Sequence, residues 1–335
     1  MKRFDYKWFY GTLILSGLIL WILNRYNLAK AYYIQIYLLI SINIILTTSL
    51  NVINGLCGQF SIGHAGFMAI GAYSSALFTT VLPKVCPSLS PLLLNPLSKI
   101  LFFLFALIIG GFVAGFVGYL IGKSVLRLKG DYLAIVTLAF GEVVRTSIRL
   151  TDELAGFLDG IGWRVLGGIV LALGGPRGLG GIPNLTNIFW ACGFTIMIVA
   201  LITRLIHSSY GRAWVAIRED EIAASVMGID TTRFKILAFS LSSLLAGLGG
   251  GLYAHLLMFI HPDSFSFIKS IEYLVYLYLG GMGSIMGSII SATTLTFLLE
   301  FLRIIQLQQW RLVIYPLILI IFMLTRPGGL FRKDL

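Results

Sequence analysis

The stretch Ile100–Gly122, ILFFLFALIIGGFVAGFVGYLIG, contains no charged side chain. A helix of roughly 20 such residues crosses the hydrocarbon core of a bilayer. One run of this kind can be buried in a soluble core, but many cannot, and this one recurs. Comparable runs occupy Trp8–Leu23, Tyr33–Val52, Ser61–Leu82, Asn187–Ile206, Phe234–Met258 and Val313–Thr325, with shorter or weaker ones at Asp131–Val144, Phe267–Gly281 and Ser284–Leu302. The pattern predicts an all-α polytopic membrane protein with about ten transmembrane helices in one domain over residues 1–335. With 58% hydrophobic and 12% charged residues, the chain lacks the charge a dissolved surface needs.

The net charge of +11 does not point to nucleic acid, because no basic run or stripe accompanies it. Lysines and arginines lie mostly between the apolar segments, where cations meet anionic lipid headgroups. Lys2, Arg3 and Lys7 before an apolar run, with Ala29-Lys30-Ala31 beyond, superficially resemble a signal peptide. The length of the run and the distance to that triplet favour a retained first helix. Cation placement puts both termini and the loop 207–233 inside, and residues 83–99 and 146–186 outside. The apolar patch Ile161–Gly175 is too short and glycine-rich for another span and reads as part of the outer segment, a helix lying at the interface.

Most catalytic chemistry has no foothold. Gly118-Tyr-Leu-Ile-Gly122-Lys123-Ser124 approaches a phosphate-cradling loop, but its first glycine falls one residue late and it ends a membrane helix rather than following a strand. The glycine clusters Gly247–Gly251 and Gly280–Gly287 lack the strand–helix context of a dinucleotide site. Cys57, Cys86 and Cys192 are widely spaced, and His64, His207, His255 and His261 show no ligand spacing. No metal or cofactor is expected, and any use of ATP requires another polypeptide. Glycines and small residues at four-residue intervals (Ser243, Gly247, Gly251; Ala114, Gly118, Gly122; Gly283, Gly287, Ser291) read as close helix packing.

Two stretches carry more than packing. Asn51–Gly71, NVINGLCGQFSIGHAGFMAIG, gathers Asn54, Gln59, Ser61 and His64 among glycines where two spans meet. Non-helical backbone at membrane depth must be buried in protein or line a watery cavity, and polar groups there mark pathways. A translocation pathway and a tight turn with a kinked helix both fit, and His64 is either a hydrogen-bonded packing residue or a ligand. Glu142, with Arg145 and Arg149 one and two turns later, is either an ion-paired end residue or a polar group in a gate. No carboxylate reads as lying in mid-span, since Glu142 and Glu300 both fall near ends.

His207–Lys235 is the second stretch. Arg218-Glu219-Asp220-Glu221 opens a helix with acids where the dipole favours them. Ile222, Val226 and Ile229 form one stripe, and Glu221, Ala224 and Gly228 another, with Ala223 beside it. Such a helix suits docking in a partner's groove or lying alone at the interface.

EIAASVMG at Glu221–Gly228 resembles the E-A-A-x-x-x-G coupling signature of importer permeases driven by ATP-binding-cassette subunits. GQFSIGHAGFMAIGAY at Gly58–Tyr73, KGDYLAIVTLAFGEVVR at Lys129–Arg145 and GGPRGLGGIP at Gly174–Pro183 are similar to the LivM-type permeases of branched-chain amino acid importers. GRAWVAIREDEIAASVMGID at Gly211–Asp230, LGGMGSIMGS at Leu279–Ser288 and RPGGLF at Arg326–Phe331 continue the match in order. The chain departs from the pattern between Arg145 and Gly174, where the connection is longer. The resemblance implies a non-enzymatic permease subunit in the inner membrane. Its implied partners are a homologous permease subunit, two cytoplasmic ATPase subunits and an external solute-binding protein. Arg218, Glu219, Asp220, Glu221, Ala223, Ala224 and Gly228 would couple it to the ATPases. Branched-chain amino acids are the implied substrates, with urea or other small amides the alternative. An ion-coupled carrier would need a mid-span ionisable residue, and an intramembrane enzyme would need nucleophile, base or metal ligands gathered at one depth.

Overall fold

The computed structural model describes residues 7–25, 31–85, 96–126, 128, 130–306 and 308–325. Cys86, the first six residues and the segment from Arg326 onward lie outside the described residues. The helices in chain order are α1 (Lys7–Arg25), α2 (Ala31–Leu50), α3 (His64–Val85), α4 (Pro96–Val125), α5 (Asp131–Arg149), α6 (Thr151–Gly160) and α7 (Arg164–Leu171). They continue with α8 (Ile188–Ile206), α9 (Ser209–Glu219), α10 (Glu221–Val226), α11 (Thr231–Leu257), α12 (Phe267–Gly280), α13 (Ile285–Ile304) and α14 (Arg311–Thr325). Setting aside the short helices α6, α7, α9 and α10 of the connections, each expected span has its helix. Among the described residues, Ala31–Leu56, Ser98–Val125, Ile188–Ile206, Thr231–Leu257 and Ile285–Ile304 are long and apolar enough to cross a membrane by themselves.

Helix α11 forms the axis of the bundle, packed against α2, α3 and α4. Glycine permits this closeness. A Cβ on Gly71 of α3 would overlap the backbone of Gly247 on α11, and one on Gly250 would overlap the Met68 carbonyl. Gly115 and Gly118 of α4 accept Leu244 and Ser243 in the same way. Lipid gives helices no hydrophobic reason to associate, so close backbone contact and dispersion must hold them. The outer faces are apolar, with Phe105, Ile108, Phe112 and Phe116 of α4 exposed, as are Phe297, Phe301 and Ile304 of α13.

With 27 residues, α11 is about 40 Å long and separates two ends of the bundle. At one end lie α9, α10, the α2–α3 junction and the α12–α13 turn. At the other, Leu179–Gly180 pairs antiparallel with Phe259–Ile260, beside the turn Pro262–Phe265. This two-residue pairing is an addition to the all-α expectation. The residues around the Ile161–Gly175 patch form α7, which folds back on α6 as a hairpin, and Arg177 pairs with Asp152 at 3.0 Å.

Candidate coupling and translocation site

The α2–α3 junction is a break, not a simple turn. Past Leu50 the chain widens into a π-helical turn, Asn51–Leu56, and then runs without helix to His64. The freed backbone groups are satisfied inside the protein. Asn54 Nδ2 donates to the Ser61 carbonyl at 3.1 Å, and Ser61 N–H donates back to Asn54 Oδ1 at 3.3 Å. The His64 ring meets Ser49 Oγ at 3.0 Å and stacks edge-on with Tyr273. Asn54, Ser61 and His64 are all buried, while Gln59 is half-buried and its Nε2 donates to the Cys57 carbonyl at 3.5 Å.

A second break faces the first. Between α12 and α13 the chain turns through Gly281–Ser284, with Gly281 and Gly283 at positive φ. Fully buried Asn51 joins the two. Its Oδ1 accepts from Gly283 N–H at 2.9 Å, and its Nδ2 donates to the Ser284 carbonyl at 3.1 Å and Ser288 Oγ at 3.0 Å. Sequence reasoning passed over Asn51. The available signal was the pairing of two glycine-interrupted apolar segments, which in transporters tends to mark where a substrate binds.

The charged loop folds against the first break. Ser208 caps α9, and Trp214 Nε1 donates to the Phe234 carbonyl at 3.0 Å, tying α9 to α11. At the end of α9, Arg218 Nη1 donates to the Gly55 carbonyl at 3.0 Å, and its stem covers Gly58, where a Cβ would collide with it. Its Nη2 and Nε donate to Glu219 Oε1 at 2.6 and 3.2 Å. Asp220 Oδ1 caps α10 by accepting from Ile222 and Ala223 N–H at 2.8 and 3.0 Å. Glu221 pairs with buried Lys235 of α11 at 2.7 Å.

The facing of α10 differs from the sequence expectation. Gly228 sits at φ +85°, a left-handed conformation glycine adopts without strain. It therefore stops the helix after Val226 rather than extending a strip with Ala224. Ala224 is 4% exposed and turned into the protein, while Ala223, Gly228, Ile222, Val226 and Met227 face outward, Val226 and Met227 by 80% and 82%.

Glu142 stands apart from the other pathway candidates, at the opposite end. Its Oε1 accepts from Phe267 N–H at 2.9 Å, capping α12, and its Oε2 pairs with Arg145 at 2.7 Å. Arg145 also grips Asp263 at 2.6 Å, and this guanidinium holds the Asp263 carboxyl below the usual carboxylate range. The sequence reading also missed a carboxylate inside a span. Glu272 of α12 is 1% exposed and pairs with Lys269 at 2.7 Å.

Apolar helices that meet at backbone distance around α11, with polar groups gathered at paired breaks, are the features of a polytopic membrane permease. The chain belongs to the family described as branched-chain amino acid transport system / permease component, whose model matches residues 32–323. It is 34% identical over 323 residues to the high-affinity branched-chain amino acid transport system permease protein LivM of Escherichia coli, covering 89% of this chain and 69% of that protein. The LivM of Salmonella typhimurium is likewise 34% identical over 314 residues, 86% and 67% of the two chains. The LivH permease of Escherichia coli is 28% identical over 152 residues, 45% and 49% of the two. No solved structure matches.

Proposed function

We propose that this chain is one of two homologous permease subunits of an importer of branched-chain amino acids in the inner membrane. One of two ATPase subunits docks on α9–α10 from the cytoplasm, and a solute-binding protein delivers substrate at the α6–α7 end. Both termini lie on the ATPase side. The observation that carries this reading is the Arg218–Gly55 contact, which ties a helix pair with an outward apolar face to the break in α2–α3.

The mechanism follows from those contacts. ATP binding in the partner favours one position of α10, and Glu221–Lys235 and Arg218–Gly55 pass that preference to α11 and the π-helical turn. Asn51 carries it to the α12–α13 break. The spans then rock as bodies, because close-packed interiors switch between discrete arrangements rather than deform. Direction comes from the different affinities of ATP and its products for the two arrangements. Glu219 and Asp220 shape the docking corner, Asn54 satisfies the Ser61 backbone of the break, and His64 holds Ser49 beside the path. Gln59, half-buried at the same break, is the one of these four with a side chain in partial reach of the path.

Buried Glu272 meets one requirement of an ion-coupled carrier. Vesicles holding the full complex separate the two. Leucine uptake should require ATP and persist after proton and sodium gradients are collapsed; uptake that follows a gradient without ATP refutes the proposal.

A further inference from the structure

We infer that Lys269 and Glu272 form a charge-exchange site for the zwitterionic head of a free amino acid, lying between the Glu142–Arg145–Asp263 cluster and the α2–α3 break. This inference rests on the amino acid reading of the preceding subsection and names the groups that read its substrate.

The pair is poorly explained as a stabilising device. Lys269 lies in the first turn of α12, where the helix dipole disfavours a cation. Glu272 is almost wholly removed from water, and apolar residues of similar volume would hold a buried helix at least as well as an ion pair. Ionisable groups inside a span are costly and tend to mark a pathway. The two members are also unequally placed. The Lys269 side chain keeps 19% exposure, while Glu272 beneath it keeps 1%. An arriving ligand therefore meets a cation first and a carboxylate second.

The surroundings suit a small zwitterion with an apolar tail. Lys269 Nζ lies 5.3 Å from the centre of the Tyr273 ring, and Tyr276 packs edge-on against Tyr273 at 6.0 Å. Tyr273 then leads to His64 and on to Ser49 of α2, two residues before Asn51. Above the pair, Glu142 caps α12 two residues before Lys269. An α-amino acid carries its carboxylate and ammonium on one carbon, so it can take the place of both partners together. Its carboxylate replaces Glu272 on Lys269, and its ammonium replaces Lys269 on Glu272. No charge stands alone at any stage, and release is the re-pairing of the two side chains. A neutral amide has no formal charge to exchange and is refused.

The test uses the full chain assembled with its partner subunits and measures uptake of leucine and of 4-methylpentanoate, which is leucine without its amine. Wild type should import leucine at least tenfold faster than the acid. Glu272→Gln should reduce that ratio at least tenfold, a readout that expression level and folding yield do not move. The double variant Lys269→Met/Glu272→Leu, an apolar pair of similar volume, should assemble normally and fail to import leucine. Import at the wild-type rate by that double variant, or an unchanged ratio in Glu272→Gln, overturns the assignment. Failure of wild type itself to import leucine, with assembly intact, instead overturns the amino acid reading and this inference with it.

Discussion

Asn51→Ala is the sharpest perturbation of the link between the two breaks. The substitution removes three hydrogen bonds of 2.9 to 3.1 Å at a fully buried position. Their losses are unequal. Ser284 O and Ser288 Oγ retain each other at 3.0 Å, whereas Gly283 N–H loses the Asn51 carbonyl oxygen. A buried donor left unpaired costs about 1–3 kcal/mol, and polar contacts between membrane helices have measured at roughly 0.6 to 1.7 kcal/mol. We expect a total of ~2 kcal/mol, enough to shift an equilibrium between two arrangements about thirtyfold. The assay pairs leucine uptake with ATP hydrolysis in reconstituted vesicles. Uptake should fall at least tenfold while hydrolysis continues, since the docking corner is untouched. Gly55→Ala should reproduce this, because its Cβ would occupy the position of Asn51 Oδ1 and evict the side chain. As both changes break one link, the double variant should be no worse than the poorer single. Full uptake and unchanged thermal stability in Asn51→Ala, or additive losses in the double variant, would refute the reasoning.

Three further outcomes are expected. Val226→Glu and Met227→Glu place charge on the outward face of α10, so recovery of the ATPase subunits in pull-downs and leucine uptake should both fall at unchanged permease level; Ile161→Glu, at the opposite end, should leave both intact. Asp263 has a folded-state pKa below the unfolded value of about 3.9, so the stability it contributes is present above that value and is lost as pH falls through the folded pKa. Melting curves of wild type and Asp263→Asn should therefore differ near neutral pH and converge in strong acid; a difference that persists there contradicts the clamp. In a background without native cysteines, a cysteine at Ser208 should react with an impermeant thiol reagent only from the cytoplasmic side and one at Leu154 only from outside, and the reverse pattern inverts the topology.

The spans were legible because length and hydropathy act locally, and even the short α12 lies where its apolar run predicts. What escaped the sequence depended on distance or on short elements. Asn51 meets Gly283 across 232 positions, and nothing in NVINGL announces that partner. Glu272 was passed over because the apolar and aromatic run that follows it, YLVYLYL, outweighs the two charged residues in the hydropathy of the segment. The facing of α10 failed because a helix of 6 residues is too short for periodicity to orient it. Gly228 was read there as a small helical residue, when its positive φ makes it the stop. Glu142 fell in the right helix, yet only the fold shows that it sits at the opposite end from Asn54 and His64.

The seat of α1 bears on how the protein is made. Gly17 lies over Cys192 of α8, and Cys192 reaches the Leu13 carbonyl from 179 positions along the chain. Synthesis at roughly 5–20 residues per second would leave α1 waiting on the order of 10–35 s before α8 emerges. During that interval α1 has only α2, whose Tyr37 hydroxyl donates to the Leu13 carbonyl at 2.9 Å, and lipid for neighbours, so its remaining faces must be soluble in lipid. Its Ile14, Leu15, Leu18, Ile19, Trp21 and Ile22, still exposed in the finished fold, meet that demand.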